Sequence, residues 1–133
     1  MNDTVKRMHE LACQARQHAY VPYITFKVGV CLRTENNTLF VGCNVQNSAL
    51  PLGFCAESAA IASMITAGER KIIEIVIVAD SQSLCTPCGG CRQQFAEFTV
   101  DNAVIHMGDL QTIRKTMLFK DLLPESFSAK NLG

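Results

Sequence analysis

The chain has 133 residues, 48% of them hydrophobic, and its twelve basic and twelve acidic side chains leave no formal net charge. That length supports one domain with a real core and is short for two, so residues 1–133 are read as a single domain. Balanced charge without a basic stripe argues against a nucleic-acid partner, and a small molecule is expected instead. In chain order, Val5, Met8, Leu11, Ala12, Ala15 and Ala19 recur at helical spacing among charged residues, which predicts a helix over 4–19. VPYITF then forms a proline-containing loop into KVGVCLRT, a strand of small and β-branched residues. Glu35-Asn36-Asn37 is a turn signal before a second strand, TLFVGC, and the two strands read as a hairpin. CNVQNSALPLG is an irregular loop. A helix should follow over 55–67, with Gly68 placed to end it. IIEIVIVA, residues 72–79, is the apolar run of a strand covered on both faces. DSQSLCTPCGG reads as a loop, and CRQQFAEF as a helix. A short strand is expected at 103–107, then from Thr112 a strand and a short helix that Pro124 breaks. This order is an α/β pattern with helices covering a sheet.

The opening MNDTVKRMHELACQARQHA lacks the apolar centre of a secretory signal, and no apolar run reaches the roughly 18 residues of a membrane span. A cytoplasmic protein without membrane contact is expected. Seven cysteines in that setting read as reduced thiols, available as metal ligands or reactive groups.

The strongest chemical signal is TPCGGC, with Cys88 and Cys91 in a C-x-x-C before a helix. Two thiolates at that spacing can meet one ion, and the Gly89-Gly90 pair is expected to permit the tight backbone between them. A helix N-terminus favours thiolate charge, and Cys55 also sits where a helix begins. Three thiolates and an open fourth position are the pattern of a catalytic zinc site. Glu57, a carboxylate on an otherwise apolar helix, lies two residues beyond Cys55. It could reach a water on such a metal and carry its proton to a substrate. Plainer readings stand beside this one: a redox pair at Cys88 and Cys91, or Glu57 as an acid favoured by the helix dipole. A further rival adds Cys85, since four thiolates with Cys55, Cys88 and Cys91 would make a closed structural site in a non-catalytic binding module. Cys13, Cys31 and Cys43 read as small core residues, and His9, His18 and His106 as structural.

VPYITFKVG, GCNVQN, PLGFCAES, TPCGGCRQ and LLPESF together resemble, in order and spacing, the motifs of the small cytidine deaminases, over about residues 20–132. The C-A-E followed by P-C-x-x-C is the thiolate form of the zinc deaminase signature. The resemblance implies a three-layer α/β/α sandwich around a mixed five-stranded sheet. It also implies a homotetramer whose active sites are shared between subunits. Zinc would be held by Cys55, Cys88 and Cys91. Glu57 would protonate N3 of cytosine and later the leaving ammonia while activated water attacks C4. Backbone groups at Ala56 and Cys88 would face the base and the reacting oxygen. Phe26 would pack on the nucleoside, Asn44 and Gln46 would bind the ribose, and Phe127 would reach a neighbouring subunit's site. The implied activity is deamination of cytidine or deoxycytidine in pyrimidine salvage.

Three positions depart from the family's usual pattern. Gln46 stands where a glutamate is usual, losing a charged acceptor for ribose hydroxyls. Leu50 stands where tyrosine is common. Ser58 replaces an arginine that would offset the charge of three thiolates, with Arg92 as a substitute donor. Gln46 and Leu50 leave open an alternative substrate, a modified cytosine nucleoside or nucleoside antibiotic.

Overall fold

A computed structural model describes residues 1–133. The chain begins with α1 (Asp3–Gln17), whose N-terminus is closed by the Asn2 side chain accepting from the Val5 N–H at 2.8 Å. Val5, Met8 and Ala12 form its buried stripe. The expected hairpin is β1 (Val28–Thr34) and β2 (Leu39–Cys43), joined through Asn37 in the left-handed region at φ 61°. Helix α2 (Ala56–Thr66) follows and ends before Gly68, whose φ of 91° suits glycine. β3 (Ile72–Ala79), α3 (Gly89–Phe98), β4 (Thr99–Gly108) and β5 (Ile113–Leu118) complete the elements, with short 3₁₀ turns after β5. No helix is long and apolar enough to cross a membrane.

The five strands form one sheet in the order β2-β1-β3-β4-β5. β3 and β4 are parallel, with α3 crossing between them, and every other neighbouring pair is antiparallel. β3 lies at the centre, which explains its unbroken apolar run: alternate side chains enter two different cores. Cys31, Val76 and Val78 pack on Val5, Met8 and Ala12 of α1. Val30, Leu32, Ile75, Ile77, Ile105 and Met107 pack beneath α2 and α3, against Ala60, Met64 and Phe95. The expected mixed sheet between two helical layers is what forms.

Two glycines let the helices sit directly on the sheet. A Cβ at Gly29 would fall 2.0 Å from the Ala12 carbonyl oxygen of α1, and one at Gly42 would fall 2.5 Å from backbone atoms of Ala56 and Ala60 in α2. The seating of α2 is therefore set backbone against backbone, and α2 carries the residues that matter most below.

Two expectations need correction. β4 begins at Thr99, four residues before the expected start, because Thr99 pairs with Ile72 although Asp101 and Asn102 are exposed. The backbone between Cys88 and Cys91 does not require glycine: neither Gly89 nor Gly90 has positive φ, and a Cβ at Gly89 would meet nothing within 4 Å. Cys31 is fully buried, and burial pushes its thiol up to about 12. Cys13 and Cys43 are only half-buried. His106 is buried between strands, with Nε2 2.6 Å from Glu74 and Nδ1 2.8 Å from the Thr116 hydroxyl. Arg33 closes the other side of Glu74 with two hydrogen bonds.

Candidate active site

Helices α2 and α3 start at the same edge of the sheet. Cys55 is the N-cap residue of α2, Cys88 is the N-cap residue of α3, and Cys91 lies in the first turn of α3. Their three sulfurs lie within 4.8 Å of one another. Cys85 shares the C-x-x-C spacing but is not in that group, so the four-cysteine closed site is not what the fold assembles.

The charge balance of this cluster is lopsided. Backbone N–H groups at Cys91 and Gly90 favour the Cys88 thiolate and lower its pKa. Burial raises Cys55, and burial together with the Glu57 charge raises Cys91. No basic side chain donates to any of the three sulfurs. Arg92, expected as a donor, instead gives its Nε to the Pro87 carbonyl at 2.8 Å and Nη1 to the Leu122 carbonyl at 3.0 Å. Ser58 does not reach the thiols either: its hydroxyl donates to Gln94 Oε1 at 2.7 Å and ties α2 to α3. Three thiols and a carboxylate thus share one corner with only helix N-termini to offset their charge. A soft divalent cation is the group this donor set fits.

Glu57 is 6% exposed, and its burial raises the carboxyl pKa. It lines a cavity of about 210 Å³ together with Phe26, Asn44, Cys55, Ala56 and Cys88. Val28, Cys85 and Thr86 complete the wall; Val28 and Thr86 lie within the motifs VPYITFKVG and TPCGGCRQ but were given no role there. Larger hollows occur elsewhere, one of about 430 Å³ beside Arg7 and Arg33, but none adjoins the thiol cluster.

The other singled-out residues divide. Phe26 is 41% exposed at the cavity mouth, on a loop over residues 20–26. Asn44 faces the cavity but is already engaged: Oδ1 accepts from the Val28 N–H and Nδ2 donates to the Phe26 carbonyl, both at 2.8 Å. Gln46 is not on the cavity wall; its amide is bonded to the backbone of the 20–26 loop. Leu50 is exposed on the 3₁₀ turn Leu50–Leu52. Phe127 is not on the cavity wall; it is 58% exposed, with its carbonyl accepting from Gln93 Nε2 at 2.9 Å.

The model of the cytidine and deoxycytidylate deaminase zinc-binding region matches residues 2–107. The chain is similar to a cytidine deaminase of Sporosarcina psychrophila, 39% identical over 121 residues that cover 90% of this chain and 88% of that one. Among solved structures, cytidine deaminase from Burkholderia pseudomallei superposes with a TM-score of 0.87 at 35% identity, covering 96% of this chain and all of that one. Cytidine deaminase from Mycobacterium tuberculosis superposes with a TM-score of 0.80 at 30% identity, covering 92% and 96%.

Proposed function

The chain belongs to the cytidine and deoxycytidylate deaminase family, and from that premise we propose that it hydrolyses the 4-amino group of cytidine or deoxycytidine. Water is consumed, and the uracil nucleoside and ammonia are released. The observation that carries this reading is a buried carboxylate, Glu57, lining one small cavity with Cys55 and Cys88, two members of the three-thiol cluster that Cys91 completes. Cys55, Cys88 and Cys91 would hold zinc, which when bound supplies Lewis-acid activation of a water.

The chain's own groups do the rest. The cavity of about 210 Å³ would receive the pyrimidine edge beside Glu57. Phe26 packs over the nucleoside at the mouth, and the backbone at Ala56 and Cys88 orients the base. Glu57 takes a proton from the attacking water and delivers it to N3 as the new bond forms at C4. It then carries a second proton to the exocyclic nitrogen, so that the C4–N bond breaks with ammonia leaving. Burial supports this shuttle by moving the carboxyl toward neutrality, where a group can both accept and donate. Asn44 contributes to the ribose end. Phe127, exposed and absent from the wall of this chain's own cavity, suits a role in a neighbouring subunit's site, and a homotetramer acting in cytoplasmic pyrimidine salvage is the assembly and setting we infer.

The test is direct. Purified, zinc-loaded protein is incubated with cytidine while absorbance and ammonia are followed. Loss of the cytidine band with stoichiometric ammonia supports deamination. Turnover of N4-modified analogues alone would move the substrate class, and inertness toward a broad nucleoside panel would leave a binding module.

A further inference from the structure

Gln46 is the departure that the fold explains in most detail. Its Oε1 accepts two hydrogen bonds, from the Tyr23 and Ile24 N–H groups, each at 3.1 Å. Its Nε2 donates to the Ile24 carbonyl at 2.7 Å. Both acceptor positions of the amide oxygen are therefore used within the chain, and none is left for a ribose hydroxyl. The Gln46 backbone grips the same segment, its N–H donating to the Tyr20 carbonyl at 2.8 Å.

The loop held in this way has little else to fix it. No residue from 20 to 26 is buried, and Ile24 is 70% exposed. The hydrogen bonds also converge on Phe26. The Ile24 carbonyl that accepts from Gln46 accepts as well from the Phe26 N–H, at 2.8 Å. The Phe26 carbonyl is held from the other side by Asn44. Phe26 is thus fixed at both backbone ends, and one of those ends runs through Gln46.

We propose that Gln46 is a positioning residue: its side-chain amide latches the 20–26 loop and so sets Phe26 at the cavity mouth, acting on substrate affinity without touching substrate. The inference rests on the deaminase reading for its kinetic consequence, but the latch stands on the geometry alone. It also assigns a reason for an amide at this position. A carboxylate can accept from Tyr23 and Ile24, but it has no proton for the Ile24 carbonyl and would set charge against that oxygen.

The two roles for residue 46 predict opposite signs for Gln46→Glu. A side chain that contacts the ribose gains a charged acceptor, so KM for cytidine should fall about five-fold. A latch loses one hydrogen bond, so KM should rise about 2- to 10-fold with kcat within about two-fold. Because Phe26 packs on the nucleoside whatever the sugar carries, the rise should be equal for cytidine and 2′,3′-dideoxycytidine. A fall in KM, a change confined to the substrate with ribose hydroxyls, or no change on either would overturn the proposal. Amide hydrogen exchange is the second readout and needs no turnover. In Gln46→Leu the Tyr23 and Ile24 amides should exchange at least ten-fold faster than in the wild type, and unchanged rates would refute the latch. Were the wild type inert on both nucleosides, the deaminase reading would fail while the exchange measurement still decided the latch.

Discussion

Gly42→Ala puts one methyl group where the structure has room for none. The new Cβ would stand 2.5 Å from the Ala56 carbonyl oxygen and 2.5 Å from the Ala60 nitrogen, about 0.9 Å short of ordinary contact. Both obstacles are helix backbone, so no side chain can swing away, and α2 must lift from β2. Overpacking of this kind costs about 1–3 kcal/mol, and about 2 kcal/mol lowers Tm by roughly 5–10 °C in a domain of this size. The larger effect should be on turnover. α2 carries Cys55 at its N-cap and Glu57 in its first turn, and a misplacement of about 1 Å costs on the order of a hundred-fold in rate. The control is Gly68→Ala at the other end of the helix. Its Cβ meets nothing within 4 Å, but φ of 91° strains any side chain, at about 1 kcal/mol. Thermal melts and cytidine turnover on the two variants separate strain from displacement: both should melt earlier, and only Gly42→Ala should lose most of its activity. Equal turnover in the two variants would refute the claim that backbone contact at Gly42 sets the catalytic geometry.

Glu57→Gln should keep its zinc content by metal analysis while kcat falls about 10²- to 10⁴-fold, the usual worth of a general acid–base; turnover within ten-fold of wild type would remove Glu57 as the shuttle. Cys85→Ala should retain zinc stoichiometry whereas Cys91→Ala should lose it, since only Cys91 belongs to the three-sulfur group. Glu74 is opposed by its burial, but the bonds from His106 and Arg33 outweigh that and leave its pKa below the ordinary 4.5. The unfolded carboxyl then takes up its proton at higher pH than the folded one. The stability it contributes is complete above about pH 4.5 and is lost as pH falls through the lower folded value. Melts from pH 7 to pH 3 should show a shallower acid slope in Glu74→Gln than in wild type.

What the sequence made legible was whatever depends on neighbours along the chain. The apolar run of β3, the asparagine turn between β1 and β2 and the stop at Gly68 are local signals, and each element formed where its signal stood. The start of β4 was not legible, because Thr99 joins the sheet by pairing with Ile72 of β3 while Asp101 and Asn102 just after it are polar and exposed. The ligand set was half legible. Spacing allows Cys85 as readily as Cys91, and what separates them is that α3 begins at Gly89, placing Cys88 and Cys91 at its N-terminus and leaving Cys85 in the loop. The departures show the limit most clearly, for a residue type states what a side chain can donate and not to whom. Ser58 has a single hydroxyl proton, and Gln94, thirty-six residues further on, takes it because α2 and α3 lie side by side. The sulfurs of Cys55, Cys88 and Cys91 are then left with helix N-termini as their only donors of positive charge from this chain. A cation at their centre has more to neutralise here than in a site with an arginine at position 58. For that reason zinc activation should depend on the seating of α2 and α3 themselves, the feature that the methyl group at Gly42 would disturb.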